Sequence, residues 1–132
     1  MRIAIFGTGG AGGYFGAQLA RAGQDVIFIA RGEHLEAIRG SGLTVETPAG
    51  EIVIRPAQAT DEAARVGVVD AVLLGVKTWQ VADAARALWP MIGPDTFVVP
   101  LQNGVEAASQ LAEVIGRPHV LLRARGGIEF PT

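Results

Sequence analysis

The sequence has no cysteine, no long apolar run and no excess of charge of one sign over its 132 residues. The missing cysteine excludes disulfides, thiolate metal sites and a cysteine nucleophile, and it fits a reducing cytoplasm. No run approaches the length of a membrane span, and the N-terminal apolar stretch is too short for a signal peptide. Because 11 basic residues face 13 acidic ones, we expect no nucleic acid and no membrane among the partners. We predict no metal site and a cytoplasmic location.

Hydrophobic residues make up 49% of the chain, which suffices for the buried core of a single domain spanning residues 1–132. Short apolar runs alternate with segments of helical spacing, and this order predicts a Rossmann-like α/β fold. We expect an open, mainly parallel sheet with helices on both faces and one β-hairpin insertion around residues 48–50. The predicted strands are 3–6, 25–30, 43–47, 51–55, 70–76 and 96–101, with another beginning at 119. The predicted helices are 11–22, 33–39, 61–66, 78–88 and 105–115.

The first strand leads directly into the motif G-x-G-x-x-G, formed by Gly7, Gly9 and Gly12. Gly7 allows a sharp turn, Gly9 leaves room for a pyrophosphate, and Gly12 allows the next helix to pack closely. The N-terminus of that helix would direct unpaired N–H groups at the phosphates. The motif in this position predicts a dinucleotide site; the alternative is a tight strand-to-helix turn without a ligand.

Polar residues follow three further predicted strands, at the sheet edge where such folds bind ligands. Arg31 stands where an NAD-specific site has an acidic residue, and its guanidinium matches the 2′-phosphate of NADP. Lys77 is either a site residue or a charge at the start of an exposed helix. Asn103 is either a ligand contact or the N-cap of a helix with Glu106 three residues on, and the two roles are compatible.

The glycine motif, Phe28-Ile-Ala-Arg31, Val76-Lys77-Thr-Trp-Gln80 and Pro100-Leu-Gln-Asn103-Gly104 together resemble the N-terminal domain of ketopantoate reductases (2-dehydropantoate 2-reductases). The resemblance runs in order from residue 1 to about residue 120. It implies reduction of 2-dehydropantoate, a small-molecule substrate, to (R)-pantoate by NADP(H), a step toward pantothenate and coenzyme A.

The resemblance also assigns roles to residues. It implies that the glycine loop holds the pyrophosphate, that Arg31 holds the 2′-phosphate and that Lys77 contacts the cofactor. Asn103 would lie near both the nicotinamide and the substrate. The residues of the loop are Gly7, Thr8, Gly9, Gly10, Ala11 and Gly12.

The family has a second, helical domain that supplies the catalytic lysine and most substrate contacts, and the 132 residues do not contain it. We therefore expect no catalytic residue in this chain, no turnover by the chain alone and self-association as a homodimer through exposed apolar surface. Residues 121–132 differ from the family's expected continuation. Two alternatives stay open: a dinucleotide-sensing module without catalysis, and another two-domain dehydrogenase of the hydroxyacid or glycerol-phosphate type.

Overall fold

The computed structural model describes residues 1–7, 11–75, 81–101, 106–120, 122–124 and 127–129. Its strands are β1 (Arg2–Phe6), β2 (Asp25–Ile29), β3 (Leu43–Thr47), β4 (Gly50–Ile54), β5 (Gln58–Thr60), β6 (Ala71–Leu74), β7 (Phe97–Pro100), β8 (Leu122–Ala124) and β9 (Gly127–Glu129). Its helices are α1 (Ala11–Arg21), α2 (Gly32–Ser41), α3 (Ala63–Val66), α4 (Val81–Leu88) and α5 (Glu106–Ile115). Short 3₁₀ turns cover Trp89–Met91 and Arg117–His119.

Five strands form one parallel sheet in the order β5-β2-β1-β6-β7. Its central strands are apolar on both faces because both faces are covered, which is the usual pattern of a parallel sheet. Two groups of buried side chains pack on the sheet. One includes Val72, Leu88 and Leu111, and the other includes Ile5 and Phe28. The sheet is thus held between two layers, as expected for a Rossmann-like fold.

The antiparallel hairpin of β3 and β4 lies outside the main sheet and packs against α1. Leu43 and Ile52 are its buried residues, and they join the same core group as Ala17 of α1. Thr44 and Val53 are exposed. One side of the hairpin therefore completes the core beside α1, and the other meets solvent.

Both edges of the main sheet are occupied among the residues that the structure describes. At the β5 edge, the Arg39 side chain of α2 donates a hydrogen bond from Nε to the carbonyl oxygen of Ala59 at 3.2 Å. At the β7 edge, Val98 forms a parallel bridge with Val120. None of the described helices is long and apolar enough to cross a bilayer.

The structure confirms the predicted fold class and the hairpin, and it differs from the sequence prediction in five places. The helix predicted over 61–66 begins only at Ala63. Strand β5 and the hairpin of β8 and β9 were not predicted, so the described chain has two hairpins rather than one. Helix α2 continues past Gly40 and ends at Gly42, whose N–H donates to the Ile38 carbonyl at 2.9 Å. The strand predicted to begin at His119 begins later, because His119 ends a 3₁₀ turn and Val120 makes the sheet contact.

Candidate functional site

The carboxyl ends of all five parallel strands meet at one edge of the sheet, in a row set by the strand register. Thr60, Ile29, Phe6, Leu74 and Pro100 stand side by side on β5, β2, β1, β6 and β7. After β1, the chain forms β2 on one side of β1 and later returns to form β6 on the other side of β1. The order reverses between β1 and β6, and ligands of open α/β sheets bind in the crevice at that point.

Three glycines meet at this reversal point. Gly7 follows β1 with a φ of 89°, a conformation that side-chain-bearing residues rarely adopt. A Cβ on Gly12 would collide with the Gly7 carbonyl oxygen. A Cβ on Gly75, which follows β6, would lie 3.0 Å from that same oxygen and 3.3 Å from the Gly12 nitrogen. A side chain at Gly12 would therefore displace the backbone at Gly7, and one at Gly75 would crowd it.

Gly75 is also tied to β1 through its backbone, because its N–H donates to the Phe6 carbonyl oxygen at 2.8 Å. The start of α1 consequently lies close to the ends of the paired strands β1 and β6. The first N–H groups of an α-helix have no partner within the helix. Together with the positive end of the helix dipole, they can bind the phosphates of a ligand.

A fourth glycine sets how closely α1 approaches the sheet. A Cβ on Gly16 would lie 2.6 Å from Cε1 of Phe28 and 2.9 Å from Cγ1 of Ile5. Phe28 and Ile5 are fully buried. Gly16 thus allows α1 to lie close to β1 and β2.

Arg31 lies just beyond β2, the strand beside β1, where it is the N-cap residue of α2. Its backbone is extended, with φ −135° and ψ 156°, so it continues the direction of the strand. The side chain is exposed and makes no hydrogen bond or ion pair with another described residue. Its guanidinium therefore stands at the sheet edge with its donors available to an anionic ligand.

The predicted site residues divide into two groups. The structure brings Gly7, the start of α1 at Ala11, and Gly12 together beside β2 and its Arg31. Thr8, Gly9, Gly10, Lys77 and Asn103 lie outside the described residues. Within the described ranges, no three His, Asp or Glu side chains are grouped so that they could hold a metal ion.

Sequence reasoning did not single out Gly16 or Gly75 as contributors to the site. Gly16 lies four residues after Gly12 in α1, and this helical spacing could have indicated a second close approach to the sheet. Gly75 could not have been identified in this way, because its contact with Gly7 depends on β6 pairing with β1 rather than on any local pattern.

The comparisons with known proteins agree with this geometry. Residues 3–124 match the family described as "Ketopantoate reductase PanE/ApbA". A 2-dehydropantoate 2-reductase of Nostoc sp. is 33% identical over 129 residues, covering 98% of this chain and 39% of that protein. The enzyme of the same name from Mesorhizobium japonicum is 42% identical over 106 residues, covering 80% of this chain and 32% of that protein.

A solved structure gives the same result in three dimensions. The 2-dehydropantoate 2-reductase of Porphyromonas gingivalis superposes with a TM-score of 0.82 at 37% identity, covering 100% of this chain and 52% of that one. The chain therefore spans less than half the length of these two curated relatives and about half of this solved structure.

Proposed function

The chain belongs to the ketopantoate reductase family, and from this premise we propose that it is the NADP-binding domain, residues 1–132, of a 2-dehydropantoate 2-reductase. The observation that carries the proposal is the contact of Gly7, Gly12 and Gly75 at the point where the strand order reverses. A side chain at Gly12 would collide with the Gly7 carbonyl oxygen, so the backbone packs closely at the N-terminus of α1, the place where this fold class binds a pyrophosphate.

The proposed cofactor is NADP(H) rather than NAD(H). Arg31 follows β2 in the position where NAD-specific sites have an acid, and its side chain is exposed at the sheet edge. A guanidinium forms a charged, bidentate pair with the 2′-phosphate of NADP(H). The neutral 2′-hydroxyl of NAD(H) cannot form such a pair. One hydrogen bond to a charged group contributes about 1.5–3 kcal/mol, which corresponds to roughly 10- to 150-fold in affinity.

The bound cofactor would supply a hydride to the ketone of 2-dehydropantoate, yielding (R)-pantoate. The part of this chain is to hold and orient the dinucleotide. The loop Gly7, Thr8, Gly9, Gly10, Ala11 and Gly12 binds the pyrophosphate in this proposal. By the family resemblance, Lys77 would contact the cofactor, and Asn103 would lie near both the nicotinamide and the substrate. The reaction would take place in the cytoplasm.

A titration of the 132-residue chain with NADPH and NADH tests the cofactor assignment. We expect Arg31→Gln to weaken NADPH binding by about one to two orders of magnitude and to leave NADH binding nearly unchanged. Arg86→Gln is the matched control, because Arg86 lies on α4 and forms a surface pair with Asp83 at 2.9 Å. Equal affinity for the two cofactors, unaltered by Arg31→Gln, would exclude the NADP assignment.

The proposal assigns no catalytic residue to these 132 residues. Purified 132-residue chain is accordingly expected to bind NADPH without oxidising it when 2-dehydropantoate is added. Turnover by this chain would contradict the proposal that it binds the cofactor without catalysing the reaction.

We also propose that the chain forms a homodimer. A monomer at all concentrations in sedimentation equilibrium would refute this.

A further inference from the structure

The acidic residue Asp61 follows β5, the strand that pairs with β2 beside Arg31. β5 pairs in parallel with β2, and the Ala30 N–H donates to the Thr60 carbonyl oxygen at 3.0 Å. Asp61 directly follows Thr60, and Arg31 directly follows Ala30. Because Ile29 pairs with Thr60, Asp61 follows β5 opposite Ala30, the residue before Arg31, and neighbouring strands are about 4.8 Å apart. The backbone of Asp61 is therefore near that of Arg31 at the sheet edge.

The backbone at Asp61 is held by a turn that begins in the core. The buried Thr60 hydroxyl accepts a hydrogen bond from the Glu62 N–H at 3.2 Å, which closes the turn around Asp61. On the other side, the bond from Arg39 to the Ala59 carbonyl holds β5 to α2. These two hydrogen bonds hold the backbone around Asp61 at the end of β5.

The negative charge of Asp61 is not neutralised within the described part of the chain. Glu62 pairs with Arg65 at 2.8 Å, so its charge is largely compensated. Asp61 is exposed and makes no ion pair with a described residue. Glu33, the other acid near Arg31, lies in the first turn of α2, where it interacts favourably with the helix dipole.

We propose that Asp61 is a specificity-determining residue that weakens binding of the 2′-phosphate and so limits the preference of this chain for NADPH over NADH. The inference rests on the proposed function, since it concerns the same 2′-phosphate at Arg31. A phosphate of about two negative charges is repelled by the carboxylate of Asp61, which follows the neighbouring strand β5. NADH has no 2′-phosphate and is not affected in this way.

The expected effect follows from Coulomb's law in a solvent-exposed setting. For a carboxylate and a doubly charged phosphate about 7–10 Å apart in water, removing the repulsion raises affinity by roughly three- to fivefold at low ionic strength. At about 1 M salt the Debye length falls to about 3 Å, and the difference is expected to disappear.

The test is a fluorescence or calorimetric titration of the 132-residue chain and its Asp61→Asn variant with NADPH and with NADH at both salt concentrations. We expect Asp61→Asn to lower the Kd for NADPH about three- to fivefold at low salt, with the Kd for NADH unchanged. Asp95→Asn is the matched control, because Asp95 is exposed in the turn before β7, at the opposite end of the sheet.

Any other result contradicts the inference about Asp61. The results also distinguish a failure of this inference from a failure of the proposed function. If the parent chain binds NADPH but Asp61→Asn changes neither Kd, Asp61 does not act on the 2′-phosphate. An equal gain for NADPH and NADH, or a gain that persists at high salt, points to a structural effect instead. If Glu33→Gln alone produces the shift, the repulsion comes from α2. If the parent chain binds neither cofactor, the proposed function itself fails.

Discussion

Replacing Gly12 with alanine is the most direct test of the site geometry. The new methyl group would overlap the carbonyl oxygen of Gly7, and it would also lie 3.5 Å from Cγ2 of Ile5. The Gly7 carbonyl belongs to the backbone and cannot rotate away as a flexible side chain can. Overpacking of this kind costs about 1–3 kcal/mol, and alanine in place of glycine returns up to about 1 kcal/mol of helix propensity.

The net loss of about 1–2 kcal/mol corresponds to a fall in Tm of roughly 4–10 °C for a domain of this size. Because relief of the overlap requires the turn at Gly7 to move, NADPH affinity is expected to fall at least about tenfold. The assays are thermal unfolding by circular dichroism and an NADPH titration of the folded variant below its Tm.

Gly40→Ala is the matched control for this substitution. Gly40 lies inside α2, and a Cβ there would have no heavy atom within 4 Å. Alanine at this position is expected to stabilise the chain by about 0.5–1 kcal/mol and to leave cofactor binding unchanged. If Gly12→Ala unfolds at or above the Tm of the parent chain and binds NADPH normally, the packing argument for the glycine loop is wrong.

Two further substitutions probe the packing of α1 and a buried hydrogen bond at the other end of the sheet. Gly16→Ala is expected to lower stability by about 1–3 kcal/mol in denaturant unfolding, because its methyl group would overlap the buried Phe28 ring; unchanged stability would show that α1 can move away freely. Thr96→Val is expected to cost about 1–3 kcal/mol, since the buried hydroxyl donates to the Val69 carbonyl at 2.6 Å and accepts from the Gly93 N–H at 2.9 Å. Thr44→Val on the exposed face of β3 is its control, and equal effects of the two threonine substitutions would contradict the hydrogen-bond argument.

The sequence predicted those parts of the fold whose signals are local. The buried runs of β1 and β2, and the turn residues between β3 and β4, are each recognisable within a few neighbouring residues. Strand β5 has three residues, begins with the polar Gln58 and pairs on one side only, so it has no apolar pattern to detect. Gly40 and Gly42 are equally plausible helix ends in sequence. Of these two glycines, Gly42 has a positive φ, of 80°, and it precedes the hairpin.

The sequence predicted those residues of the candidate site that belong to one local motif or lie at a known spacing from it. The G-x-G-x-x-G spacing located Gly7 and Gly12, and counting from it located Arg31. The contribution of Gly75 and the role that we propose for Asp61 both depend on which strands are neighbours. Gly75 lies close to Gly7 because β6 pairs with β1, and Asp61 follows the strand next to that of Arg31 because β5 pairs with β2. Such pairings between distant segments leave no trace in local spacing.

The covered edges of the main sheet have a consequence for aggregation. An open strand edge offers unpaired backbone groups to another chain and can nucleate intermolecular sheets. Here Arg39 occupies the Ala59 carbonyl at one edge, and Val120 adds to Val98 at the other. These contacts occupy part of each edge and so disfavour extension of the sheet by another molecule. Copies of the chain at high concentration are therefore expected to meet through side-chain surfaces rather than by continuing the sheet from one molecule to the next.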